Sequence, residues 1–203
     1  MKKYVITIGR QFGCGAHEIG TRLAKRLGID YYDKELIQRA AQDSGFDKNL
    51  FAFYDERPTQ SFLFNLSEDG YSAIGNTAAP LEEQVFQYQF DAIHRVAGEG
   101  SCIIVGRCAE YILREEENLL SVFLHADDDY RIQRVTKQYG ISEKDASREI
   151  KSVDKKRARF HNFYCESKWG DASAYDLCID VSKFGIDETV ELLAHCVNEK
   201  FGK

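Results

Sequence analysis

An α/β fold, a three-layer αβα arrangement around a central, mainly parallel five-stranded sheet, is predicted by three features of this chain. Short apolar runs alternate with segments of helical period along most of its length. The first run, Tyr4 to Ile8, passes through a glycine-spaced turn, Gly9 to Gly15, straight into a helical pattern. A later run, Ser101-Cys102-Ile103-Ile104-Val105, is continuously apolar, as in a central strand covered on both faces.

Each element has its own warrant. Ile19, Leu23 and Leu27 recur at helical spacing beside Ala24, and Gly28 stands where a glycine ends a helix. Ile29 to Asp33 is a short second strand, followed by a helix over Lys34 to Gln42 with Leu36, Ile37 and Ala40 inward. Residues 45–80 break the rhythm: they hold both prolines, Pro58 and Pro80, and mix aromatics with Ser, Asn and Gly, which predicts an inserted flap of weak local structure. Pro80 suits a first helical turn. The helix after it carries Leu81, Val85, Tyr88, Ala92 and Val96 on one stripe and Phe86, Phe90, Ile93 and Ala97 on the next, a width that predicts burial on two sides. Gly98 and Gly100 end it before the run at Ser101.

Leu119 to His125 is a further strand, after which Asp127 opens a helix with Tyr130, Ile132 and Val135. Ser142 and Asp145 form a capping pair for a long helix reaching about Tyr164. Leu177 to Val181 is the last strand, and Asp187 is expected to cap a final helix that buries Val190, Leu193, Ala194, Val197 and Phe201.

Bulk properties narrow the function classes. With 203 residues, 43% hydrophobic and 30% charged, the chain suits one sizeable core. A net charge of −6 argues against sequence-independent binding to a nucleic-acid backbone. No apolar segment approaches the ~20 residues of a membrane span, so neither a membrane nor export is expected. The cysteines, Cys14, Cys102, Cys108, Cys165, Cys178 and Cys196, include no C-x-x-C pair, which predicts reduced thiols in the cytoplasm and neither a zinc site nor a disulfide framework.

The turn after the first strand has the outline of a phosphate-binding loop. A glycine-rich turn into a helix start leaves backbone N–H groups without intrahelical partners and aims a partial positive charge at one spot. The standard loop, G-x-x-x-x-G-K-[ST], adds a lysine for the β/γ-phosphates and a hydroxyl for Mg²⁺. Setting Gly15 on its second glycine puts Arg10 at the first glycine, Ala16 at the lysine and His17 at the hydroxyl. In a parallel sheet, ligands sit beyond the carboxyl ends of the strands. Four segments fall there: Gly9 to His17, Asp33, Gly106-Arg107, and His125 to Asp129.

Five segments then carry a resemblance: Ile8 to Gly15, Tyr31-Tyr32-Asp33-Lys34-Glu35-Leu36, Ile104-Val105-Gly106-Arg107-Cys108-Ala109, Arg131-Ile132-Gln133-Arg134 and Asp154-Lys155-Lys156-Arg157. In that order they resemble the cytidylate kinase-like family, relatives of the P-loop nucleoside monophosphate kinases. The resemblance implies a single P-loop kinase-like domain over 1–203, with a monophosphate-binding helical insertion at 45–98 and a lid at about 142–172. It implies ATP with Mg²⁺ as donor and CMP or another small molecule as acceptor.

The resemblance also implies roles. The ATP phosphates would meet Gln11, Phe12, Gly13, Cys14, Gly15, Ala16, His17 and Glu18; the acceptor would meet Asp33, Gly106 and Arg107; Asp154, Lys155, Lys156, Arg157 and Arg159 would belong to the lid. Cys108 replaces the aspartate of a Gly-Arg-Asp segment, and Glu18 occupies the threonine position of Gly-Lys-Gly-Thr. Phosphoryl transfer depends on fixed positive charge, so Arg10, Arg107, Lys156 and Arg157 are the catalytic candidates, and Glu18 or Asp33 the metal ligand. Blander readings stand beside these: Asp33 as a helix cap, Lys155 to Arg159 as a solvated helix face, Cys14 as a loop filler, and Trp169 as a packing anchor for the lid's return. The lysine-free loop equally suits a nucleotide-binding or regulatory protein without turnover. A third reading is a homo-oligomeric interaction protein that pairs through Phe51 to Tyr71.

Overall fold

The computed structural model describes residues 3–33 and 81–202. The expected helix over Lys34 to Gln42, the flap at 45–80, both prolines and the aromatic segment Phe51 to Tyr71 lie outside the described residues.

Five strands, β1 (Val5–Arg10), β2 (Asp30–Tyr32), β3 (Cys102–Val105), β4 (Leu119–His125) and β5 (Leu177–Asp180), form one sheet in the order β2-β3-β1-β4-β5. Every pairing is parallel, with Ile6 opposite Ile103 on one side and Leu120 on the other. The helices are α1 (Ala16–Leu27), α2 (Leu81–Glu99), α3 (Ala109–Ile112), α4 (Asp128–Tyr139), α5 (Glu143–Tyr164) and α6 (Val181–Phe201).

Alternation along the strands sorts the core into two faces. Ile6, Ile8, Ile103, Val105, Val122 and Leu124 point to one side, where they bury Ile19 and Leu23 of α1 with Val190, Leu193 and Val197 of α6. Val5, Cys102 and Ile104 point to the other, against Val85, Ile93 and Val96 of α2 and Ile112 of α3. Each such fully buried aliphatic side chain is worth roughly 1.5–3 kcal/mol, so both helical layers are held by the sheet. The broad apolar face of α2 is covered on a second flank too, where Phe86 stacks on Tyr164 of α5 at 3.7 Å between centroids.

Local signals fix several helix ends. Gly28 ends α1 in the left-handed conformation with its N–H on Ala24 O. Ser142 Oγ accepts the Asp145 N–H at 3.1 Å and starts α5. The last helix departs from expectation. It begins at Val181, capped by Asp180, whose Oδ1 accepts the Ser182 N–H at 3.0 Å, and it breaks at Gly185, φ 76° and ψ 174°. Asp187, the expected cap, instead pairs with Arg22 of α1. The break leaves Ile186 against the glycine turn of the first loop, where a Cβ on Gly15 would stand 2.5 Å from Ile186 Cδ1.

Candidate functional site

The parallel sheet brings the carboxyl ends of β1, β2 and β3 to one edge. There a cleft of about 260 Å³ is lined by the turn from Arg10 to Gly13 and by Gly15 to Glu18, with Asp33, Arg134 and Arg157 among its other walls. Gly13 and Gly15 hold φ of +84° and +94°, conformations that cost an L-residue roughly 1–2 kcal/mol. Space excludes side chains as well, since a Cβ on Gly13 would lie 2.9 Å from Val135 Cγ2. Gly15 is the N-cap of α1 and provides no side-chain cap for its first turn, so that turn presents donors to the cleft.

The expected phosphate-contacting segment divides in two. The Gln11 N–H continues the sheet to Leu124 O at 2.9 Å, and the Gln11 side chain accepts the Ala126 N–H at 3.1 Å. The Phe12 N–H goes to Asp154 Oδ1 at 2.7 Å. Gln11 and Phe12 therefore line the cleft while their amides are engaged elsewhere. Cys14 is fully buried, and burial pushes its thiol pKa up, which suits the filler role for its side chain.

The lid candidates divide likewise. Asp154 takes both the Phe12 amide and Arg131 Nη1, the latter at 2.5 Å, and Arg131 also reaches Phe12 O at 3.3 Å. Arg157 Nη1 donates to Arg10 O at 3.3 Å, and its guanidinium lies 5.8 Å from the Phe12 ring centroid. Lys155, Lys156 and Arg159, one or two positions away, are exposed, and none of them lines the cleft. The helical period separates them: residues one position apart on α5 face about 100° away from each other.

Two arginines of α4 join the site without having been assigned a role. Arg131 is buried beneath the loop, and Arg134 Nη2 lies 3.1 Å from Glu18 Oε2 at the cleft wall. Their signal was a pair of arginines three residues apart on the helix that follows a strand's carboxyl end. Glu18 meets a second guanidinium as well, Arg22 at 3.6 Å from Oε1.

On the acceptor side, Gly106, Arg107 and Cys108 hold consecutive positive φ values of 73°, 55° and 58°. This turn buries Arg107, which is no surface residue: its Nη1 donates to Val105 O at 2.9 Å and lies 3.3 Å from Asp33 Oδ1. Asp33 Oδ2 lies 3.5 Å from His17 Nδ1, so β2, the first loop and the β3 turn meet at one carboxylate. Trp169 packs edge-on against Phe123 at 5.3 Å, beside Tyr175, and holds the segment after α5 to the sheet.

The model of the cytidylate kinase-like family matches residues 5–183. This chain belongs to the cytidylate kinase-like family. Within the family's reach, it is similar to the cytidylate kinase of Methanopyrus kandleri, 26% identical over 203 residues that cover 96% of this chain and 93% of that protein. Among solved structures it is similar to an uncharacterized protein from Eubacterium ventriosum, with a TM-score of 0.74, 32% identity, and coverage of 97% and 99% of the two chains. Shikimate kinase from Bacteroides thetaiotaomicron shares the fold, with a TM-score of 0.56 at 15% identity, 97% of this chain and 99% of that one being covered. The sandwich described above is thus a P-loop kinase fold, and this cytidylate kinase-like chain carries the lysine-free loop within it.

Proposed function

We propose that this chain is an ATP-dependent phosphotransferase that uses Mg²⁺ and passes a phosphoryl group to CMP or another small acceptor. The observation that carries the reading is one cleft in which the glycine turn, the uncapped start of α1, Arg10, Arg134 and Arg157 converge beside Asp33. Backbone donors and guanidiniums are the groups a triphosphate requires.

In this reading the amides of Gly13, Cys14, Gly15, Ala16, His17 and Glu18 bind the phosphates. Arg10, Arg134 and Arg157 supply the charge that Ala16 lacks. Mg²⁺, when bound with the nucleotide, neutralises charge between its β- and γ-phosphates. Glu18 or Asp33 would be the carboxylate nearest the metal, Glu18 beside Arg22 and Arg134 and Asp33 beside Arg107 and His17. Asp33, Gly106 and Arg107 orient the acceptor. The chain acts as a single P-loop kinase-like domain over 1–203, with a monophosphate-binding insertion at 45–98 and a lid at about 142–172 that Asp154 ties to the loop. Lys155, Lys156 and Arg159 serve the lid's outer face. Among the described residues no helix is long and apolar enough to cross a membrane, and the six cysteines are free, which supports a reducing, cytoplasmic setting.

The test is turnover of ATP with Mg²⁺ across nucleoside monophosphates and small hydroxylated metabolites, CMP first. Phosphorylation of one acceptor is expected. One observation favours a second reading, a nucleotide-binding or regulatory protein: the lysine and hydroxyl positions of the loop hold Ala16 and His17. Stabilisation by ATP without transfer to any acceptor would select it.

A further inference from the structure

A cluster of metal-binding groups lies apart from the cleft, beneath the turn that carries Arg107. Ligand atoms of Glu110, His161 and Cys165 lie within 4.8 Å of one another, and all three residues are buried. The Cys108 thiol, itself 3% exposed, hydrogen-bonds that of Cys165. Glu110 Oε1 lies 2.9 Å from His161 Nε2, and the same imidazole hydrogen-bonds the Cys165 sulfur. Cys108, Glu110 and His161 also border a cavity of about 20 Å³.

We propose that Cys108, Glu110, His161 and Cys165 bind one zinc-class divalent cation that fastens the end of α5 to the turn after β3. Two thiolates, an imidazole and a carboxylate form a donor set that prefers this class of ion over Mg²⁺ or Ca²⁺. Metal–ligand bonds of about 2.0–2.3 Å place the donors of a tetrahedral ion roughly 3.3–3.8 Å apart, and those of Glu110, His161 and Cys165 lie within 4.8 Å of one another before any ion draws them in. Two of the ligands come from the N-cap and first turn of α3 and two from the C-terminal end of α5, so the ion would hold together segments 51 residues apart in sequence. It would also hold the left-handed turn from Gly106 to Cys108, and with it the position of Arg107.

The cation is tested on the full chain, reduced, stripped with chelator and titrated with Co²⁺ and then Zn²⁺. The expected result is one ion per chain after dialysis, a thiolate-to-cobalt charge-transfer band that Zn²⁺ abolishes, and a rise in Tm on metal addition. Cys165→Ser should weaken the band and the double variant Cys108→Ser/Cys165→Ser should remove it, His161→Ala should weaken binding at least tenfold, and Cys178→Ser, at an exposed cysteine, should change neither. Absence of the band in the wild-type chain would overturn the proposal even if a variant failed to fold. So would a band undiminished in the double variant Cys108→Ser/Cys165→Ser, or a Cys108–Cys165 disulfide that forms in air and reforms after reduction in the presence of excess Zn²⁺.

Discussion

Asp154, near the middle of α5, accepts the backbone N–H of Phe12 at 2.7 Å across 142 positions of sequence and holds Arg131 Nη1 at 2.5 Å with its other oxygen. One carboxylate therefore sets the path of the loop and the seat of the helix that follows α4. The loop and α5 are consequently expected to move or unfold together.

Removing that carboxylate should be costly. Asp154 is 15% exposed at its side chain and Arg131 7%, so Asp154→Ala leaves the Phe12 amide without its acceptor and Arg131 with Asp128 and Phe12 O alone. A loss of about 1–3 kcal/mol is expected, the cost of leaving a buried polar group unsatisfied. Asp154→Asn, which keeps an acceptor for the Phe12 amide, should lose less. Urea denaturation of the three proteins checks the order.

Arg134 and Lys156 separate the cleft's cations from the solvated face of α5. Arg134→Ala should weaken ATP binding about ten- to a hundredfold, the loss of one charge-assisted hydrogen bond of roughly 1.5–3 kcal/mol. Lys156→Ala should change it by less than a factor of about two, as expected for an exposed charge screened by solvent. Calorimetric titration with ATP gives both numbers, and equal effects would contradict the assignment of Arg134.

Gly15 and Gly28 both have positive φ, +94° and +66°, but only Gly15 has a neighbour where its Cβ would go. Gly28→Ala should cost about 1 kcal/mol, the strain of the left-handed conformation alone. Gly15→Ala adds a collision with Ile186 at 2.5 Å, and should cost more stability and abolish nucleotide binding. Thermal melts with and without ATP distinguish the two contributions.

Asp176 supplies a pH dependence. Burial opposes its ionisation, yet the Ser121 amide at 2.9 Å and Lys200 at 3.2 Å outweigh it and hold the carboxyl below its ordinary 3.8. A depressed folded-state pKa contributes stability above the ordinary value and loses it as pH falls through the folded one. Asp176→Asn should therefore be less stable than the wild type at pH 7. The gap should shrink once pH falls below 3.8, as equilibrium unfolding measured across that range would show.

Features encoded within a few residues were legible in the sequence. The alternation of apolar runs and helical periods gave the αβα order, and Ser142 with Asp145 marked a helix start because a capping pair is complete within four positions. Features that depend on how elements rotate against one another were not. The break at Gly185 divides the last helix, so that Asp180 caps a short first segment and Asp187 lies just past the break, paired with Arg22 of α1. Arg134 stands in a segment that carries the resemblance, but its place at the wall of the cleft exists only once α4 is set beside α1, and the grouping of Glu110 with His161 only once α5 has returned to the sheet. The glycine spacing of Gln11 to Glu18 suggests a phosphate loop, but which of its amides the sheet and α5 consume depends on partners more than a hundred residues away.

That division of the loop allows the central claim to be read directly, by following backbone amide resonances during titration with ATP. Large, saturating shifts at Gly13, Gly15, Ala16 and His17, with small ones at Gln11 and Phe12, are the predicted pattern. Saturation without shifts in the glycine turn, or the absence of any shift at millimolar ATP, would contradict a triphosphate held by these donors.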